Sequence, residues 1–227
     1  MSNIDPATIP VITIDGPGGS GKGTVAMRLA LDLDWHFLDS GALYRIVAVA
    51  AIDRGVKADD ERALGALVRD LDVNFGFSGE GMVILLDGNW ISGRLRSEKV
   101  SAFASEAAAV PAVREALVER QRAFRKPPGL VADGRDMGTV IFPDAILKIF
   151  LTASVEARAN RRYKQLKEKG ESVNLSRLFR DIEKRDERDS SRSIAPLKPA
   201  EDAQIIDSTE LSIDKVLETI HNLLDKK

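Results

Sequence analysis

Residues 16–24 read GPGGSGKGT and place one lysine among residues with little or no side chain, directly behind the apolar stretch PVITID. Bare backbone lets successive N–H groups turn inward onto phosphate oxygens, and the start of a following helix adds more free N–H groups and a positive dipole end. Lys22 supplies the full charge that the terminal phosphates of a nucleoside triphosphate need. The spacing from Gly16 to Gly21 and Lys22 fits G-x-x-x-x-G-K. The loop also lies between the β-branched run 11–15 and a helical pattern of Ala26, Leu29, Ala30 and Leu33. That context separates a phosphate loop from a glycine-rich turn carrying an incidental lysine. Gly16, Pro17, Gly18, Gly19, Ser20, Gly21, Lys22, Gly23 and Thr24 are therefore candidate triphosphate-binding residues. One departure is Gly23, which stands where the general motif has Ser or Thr; the hydroxyl comes one residue later, at Thr24. A shift of one residue turns ~100° around a helix, so direct ligation of Mg2+ by Thr24 does not follow from the motif.

Two more stretches put polar groups at strand ends. FLDSGALYR, residues 37–45, carries Arg45 one turn into a helix capped by Asp39 or Ser40, where a guanidinium can hold a second phosphate in two hydrogen bonds. A capped surface helix with a solvated arginine has the same pattern. LVADGRDMGT, residues 130–139, ends a strand at Asp133, and Gly134 turns the chain so that Arg135 and Asp136 project into the same crevice. An ordinary Asp-Gly turn is the alternative there.

Positive charge is concentrated further on. Residues 158–192 hold 8 Arg and 4 Lys against 7 Asp and Glu, a local excess of five in a chain of net charge -2. Behind Asn174, Leu175, Leu178, Phe179 and Ile182 form one helical stripe, and the same face continues into Arg185, Asp186 and Asp189, with Arg192 close by. Intrahelical pairing such as Arg185 with Asp189, worth only ~0.3–0.5 kcal/mol when exposed, is one reading of this pattern. The other is a lid whose arginines close over a triphosphate, with Arg188 and Arg192 leading and Arg158 and Arg162 behind.

Short apolar runs at 11–15, 35–38, 129–132, 146–152 and 204–206 alternate with amphipathic helical patterns. The last helix shows it best, with Ile213, Val216, Leu217, Ile220 and Leu224 in one stripe behind Ser212. This alternation predicts an α/β fold with a parallel sheet covered on both faces, and ligands at the carboxyl ends of its strands. Residues 72–93 break the rhythm with short strands and Gly-rich turns, a small antiparallel insert behind a helix at 60–71. Residues 97–126 read as two helices parted by Pro111.

The 227 residues are 44% hydrophobic and 30% charged, an ordinary globular balance. An acidic chain with pI near 5.8 is not a general nucleic-acid binder. With no cysteine and only His36 and His221, thiolate, Cys-metal and Ser-His-Asp chemistry are disfavoured. The N-terminus lacks a signal-peptide pattern and no apolar run approaches a membrane span, which predicts a cytoplasmic protein. A GTPase-like switch would carry an N-K-x-D guanine motif, and the sequence has none.

GKGT is typical of nucleoside monophosphate kinases. ITIDGPGGSGKGT, LDSGALYR, GLVADGRDMGTVIFP and RDERDSSRSIAPL together resemble, in order and spacing, the bacterial cytidylate kinase family over essentially the whole chain. The resemblance implies a single P-loop kinase domain with a three-layer fold and a central parallel sheet of five strands. Its core would span 10–58, 129–154 and 202–227, with a monophosphate-binding region at 59–128 and a helical lid at 155–195. It implies reversible transfer of the γ-phosphate of ATP to CMP or dCMP, with Mg2+ held through phosphates and water rather than by direct protein ligands, in a monomer with no nucleic-acid or membrane partner.

It further implies that Arg45 and Arg135 hold the CMP phosphate, that Ser40, Ser105, Arg114 and Asp136 surround the cytosine, and that Arg185 and Asp189 reach the sugar. Lys22, Arg188 and Arg192 would stabilise the transferring group, with Asp133 in the magnesium water shell and Arg158 and Arg162 on the ATP side. Cytosine offers an amino donor at N4 and acceptors at N3 and O2, so a carboxylate beside a guanidinium matches its edge and mismatches uracil. A P-loop kinase for UMP or another small acceptor is the remaining rival.

Overall fold

The computed structural model describes residues 6–78, 81–95, 97–168, 170 and 172–226. In chain order the elements are β1 (Val11–Asp15), α1 (Lys22–Asp32), β2 (His36–Asp39), α2 (Ser40–Asp53), α3 (Glu61–Arg69), β3 (Val73–Ser78), β4 (Gly81–Leu86), β5 (Asn89–Trp90), α4 (Glu98–Ala107) and α5 (Pro111–Arg122). They continue with β6 (Leu130–Gly134), β7 (Leu147–Thr152), α6 (Val155–Glu168), α7 (Leu175–Ser191), β8 (Gln204–Asp207) and α8 (Ile213–Leu224). These form two compact units, residues 1–39 with 122–227, and residues 40–121.

The first unit holds the expected five-stranded parallel sheet, in the order β2-β6-β1-β7-β8. Helical crossovers cover both faces of a parallel sheet, so its central strands are buried on both sides. VITID of β1 and LVADG of β6 are buried at every residue. Ile12, Ile14, Val25, Leu29, Val131, Ile149, Leu151, Val216, Leu217 and Ile220 make the core on one side of the sheet. The α8 stripe is in it, behind Ser212, whose hydroxyl accepts from the Lys215 N–H as an N-cap. The register sets Asp15 beside Gly134 and Phe150, and Asp39 beside Asp133. The strands therefore end together, and the loops after β1 and β6 leave the same edge.

The second unit contains α2 to α5 and the antiparallel sheet β3-β4-β5, which falls inside the expected insert. It begins at Ser40. The reason is α2, which is apolar around most of its circumference and packs on α3 and α4. Ser97 caps α4, and Pro111 opens α5, where a missing N–H costs no helical bond. Among the described residues no helix is long and apolar enough to cross a membrane.

Candidate active site

The loop after β1 owes its path to glycine. A side chain at Gly16 would meet the Leu151 carbonyl oxygen at 2.1 Å, so β7 leaves no room for one. Gly21, at φ 94°, is the N-cap of α1, and having no side chain it leaves the first N–H groups of the helix open to a ligand. Lys22 follows, buried, with its ammonium donating to the Pro17 carbonyl at 3.3 Å and lying 3.9 Å from Asp133 Oδ1. Burial and then the Arg135 charge lower Lys22 to about 8, while Asp133 pulls the other way. A phosphate arriving over the loop would relieve that crowding of cations.

Position 23 lies beside Asp133. A Cβ at Gly23 would come within 3.1 Å of Asp133 Oδ2, so a side chain there would press on this carboxylate. Thr24 is exposed one residue on. Among the described residues no three metal-ligating side chains cluster. A hard carboxylate oxygen beside the loop fits Mg2+, which keeps several waters and takes one or two carboxylates plus substrate phosphates.

Asp15 joins the two strand-end loops. Its Oδ1 accepts from the Met137 N–H at 2.9 Å and its Oδ2 from the Gly138 N–H at 2.8 Å. Burial pushes this carboxyl up to about 7, against the pull of the two N–H donors. The turn it fixes, a wide π-helical one at Met137–Ile141, was not legible in the sequence. Arg135 and buried Asp136 stand just before it. A side chain at Gly18 would lie 3.5 Å from Arg135 Nη2 and 3.7 Å from Arg185 Nη1, so both guanidiniums reach the phosphate loop.

Two carboxylates hold arginines of this region. Arg158, 3% exposed, grips Asp186 at 3.0 and 2.5 Å, and donates to the Ala153 carbonyl at 3.0 Å and the Gly18 carbonyl at 3.1 Å. Its donors thus tie α6 and α7 to the loop. Asp189, 1% exposed, receives Arg135 Nε at 3.0 Å and Arg192 Nη2 in a short contact, with Arg185 Nε at 4.0 Å. Burial alone would raise this carboxyl, yet the charges of Arg135, Arg192 and Arg185 hold it down at about 2. Asp189 is the hub of three guanidiniums. Arg188 and Arg162 are partly buried on the same helices.

Sequence reasoning passed over Arg161. It donates to the Ser20 carbonyl at 3.3 Å, to Ser208 Oγ at 3.2 Å and to the Ser208 carbonyl, fastening the loop to the end of β8. Its i, i+3 offset from Arg158 was the available signal.

In the second unit, Ser40, Ser105 and Arg114 are buried on α2, α4 and α5, with Arg45 further along α2. Arg114 Nη1 donates to the Ala108 carbonyl at 3.1 Å. The Ser40 hydroxyl donates to Gln121 Oε1 at 2.8 Å. Gln121 was also missed, although its offset of seven from Arg114 sets both on one face of α5.

The profile of the family described as Cytidylate kinase matches residues 12–226. A protein named cytidylate kinase from Stutzerimonas stutzeri (strain A1501) is 62% identical over 214 residues, covering 93% of both chains. Proteins of the same name from Methylococcus capsulatus and Aeromonas hydrophila are 59% and 56% identical, covering 93% and 95% of this chain and 95% and 94% of theirs.

Proposed function

Since the chain belongs to the cytidylate kinase family and so transfers the γ-phosphate of ATP to CMP and dCMP, we propose that it does so through the following residues. The backbone of residues 16–24 cradles the ATP phosphates, and Lys22 supplies charge to the oxygens that develop it. Arg188 and Arg192 join Lys22 on the transferring group, while Arg158, with Arg162, holds the lid to the donor side. Arg45 and Arg135 take the acceptor phosphate. Ser40, Ser105, Arg114 and Asp136 read the cytosine, and Arg185 and Asp189 lie toward the sugar.

Mg2+, bound through phosphates and water with Asp133 as the nearest carboxylate, would neutralise charge on the phosphate oxygens. Phosphoryl transfer asks little covalent chemistry of a protein, so the residues act by alignment and by charge, and no phosphoenzyme forms. We assign the reaction to a monomer in the cytoplasm.

The observation that carries these assignments is the approach of Arg135 and Arg185 to Gly18 in a loop that already holds Lys22. Guanidiniums from the end of β6 and from α7, assigned to the acceptor, then stand beside the donor's phosphate loop. The test is ADP release with a panel of acceptors. CMP and dCMP should react rapidly and UMP, AMP and GMP much more slowly; equal rates with UMP would remove Asp136 from cytosine recognition.

A further inference from the structure

We propose that Gln121 selects the acceptor base without touching it, by fixing the direction in which the Ser40 hydroxyl donates. This rests on the reading that Ser40 meets the base. Gln121 is 1% exposed and Ser40 3%. One end of the Gln121 amide lies 3.3 Å from the Leu117 carbonyl, one turn back on α5. A carbonyl oxygen only accepts, so that end is the amino group, Nε2. The other end is then Oε1, and it faces Ser40 Oγ at 2.8 Å. An amide oxygen also only accepts, so the proton in this second bond belongs to Ser40. The orientation of the amide therefore follows from the backbone of α5, and the hydroxyl follows from the amide.

The consequence is chemical. With its one proton given to Gln121, the Ser40 oxygen presents only lone pairs to a ligand. The 4-amino group of cytosine donates to such an oxygen. The 4-carbonyl of uracil brings lone pairs against lone pairs, and a hydroxyl that turned to greet it would leave Gln121 Oε1 buried without a donor. A site built to receive an N–H thus rejects the base that lacks it. The amino group carries two hydrogens, so Ser40 would take one beside the other given to Asp136, and the two acceptors would discriminate together.

The experiment compares kcat/KM for CMP and for UMP in the wild type, Gln121→Met, Gln121→Glu, Ser40→Ala and the double variant Ser40→Ala/Gln121→Met. The CMP to UMP ratio is taken within each preparation, so a change in the folded fraction cancels. Gln121→Met frees the hydroxyl and should lower the ratio about tenfold, or ~1.4 kcal/mol, with KM for ATP unchanged. Gln121→Glu, kept protonated by burial, still donates to the Leu117 carbonyl and accepts from Ser40, and should keep the ratio. Ser40→Ala should lower it, and adding Gln121→Met should lower it no further. A ratio untouched by Ser40→Ala would overturn the contact between Ser40 and the base, and with it this proposal. A ratio lowered by Ser40→Ala but not by Gln121→Met would overturn the role of Gln121 alone. Equal losses in Gln121→Met and Gln121→Glu would show packing rather than hydroxyl direction. Gln121→Leu replaces Gln121→Met should the latter not fold.

Discussion

The phosphate loop and the arginine cluster of α6 and α7 are built by opposite means. The loop has a single cation and relies on backbone N–H groups, aimed by glycines at φ angles of 82° and 94° that other residues rarely adopt. The cluster relies on side chains with full charges, and packs Arg135, Arg185 and Arg192 around one buried carboxylate while Arg158 grips another. Backbone donors need no partner to hold them in place, because the fold does it. Guanidiniums repel one another, so each set needs an acid at its centre before any substrate comes. Strength of charge is obtained in the cluster through ion pairs, and precision of aim in the loop through conformation.

The comparison breaks first, and hardest, at Asp189. Asp189→Ala leaves three guanidiniums without their shared carboxylate and should lower unfolding free energy in urea by ~3–5 kcal/mol. A loss below ~1 kcal/mol would mean that the cluster holds itself. The same carboxylate gives a pH signature. Its folded value of about 2 lies below the ordinary 3.8, so its contribution of ~2 kcal/mol is present above pH 4 and is lost as pH falls toward 2. Acid unfolding of Asp189→Ala should lack that part of the curve.

The loop should respond in activity rather than stability. Lys22→Ala should lower turnover at least ~100-fold with its thermal transition retained, and unchanged turnover would remove the loop lysine from the chemistry. Because free Lys22 titrates near 8, affinity for ADP should fall about tenfold from pH 7 to pH 9, as protonated lysine is lost before phosphate binds. A flat titration profile in calorimetry would contradict that. The smallest effect belongs to Arg177, which is mostly exposed and 3.7 Å from Asp181. Arg177→Ala should change stability by no more than ~0.5 kcal/mol and leave turnover alone, separating solvated pairs on α7 from the buried hub.

The strands and helices were legible because a parallel sheet writes itself as short apolar runs, and the phosphate loop because its glycines fall at a fixed spacing. Gly23 was legible as a departure from the motif, but not its closeness to Asp133, which comes from another strand. The boundary at Ser40 was hidden, because an apolar helix such as α2 reads the same whether it covers a central sheet or anchors a separate unit. The partners of Asp189 were hidden for another reason. Its i, i+4 neighbour Arg185 is visible along α7, whereas Arg135 comes from a strand end 54 residues earlier. Gln121 carries a neutral amide on a charged helix, and its value lies in the direction of one proton, which no spacing records.

The central claim is direct transfer between two nucleotides held together on one chain. Initial rates of ADP release, measured across a grid of ATP and CMP concentrations, test it most directly. Direct transfer should give double-reciprocal lines that intersect, as a ternary complex requires. Parallel lines, the mark of a phosphoenzyme formed before CMP binds, would contradict it.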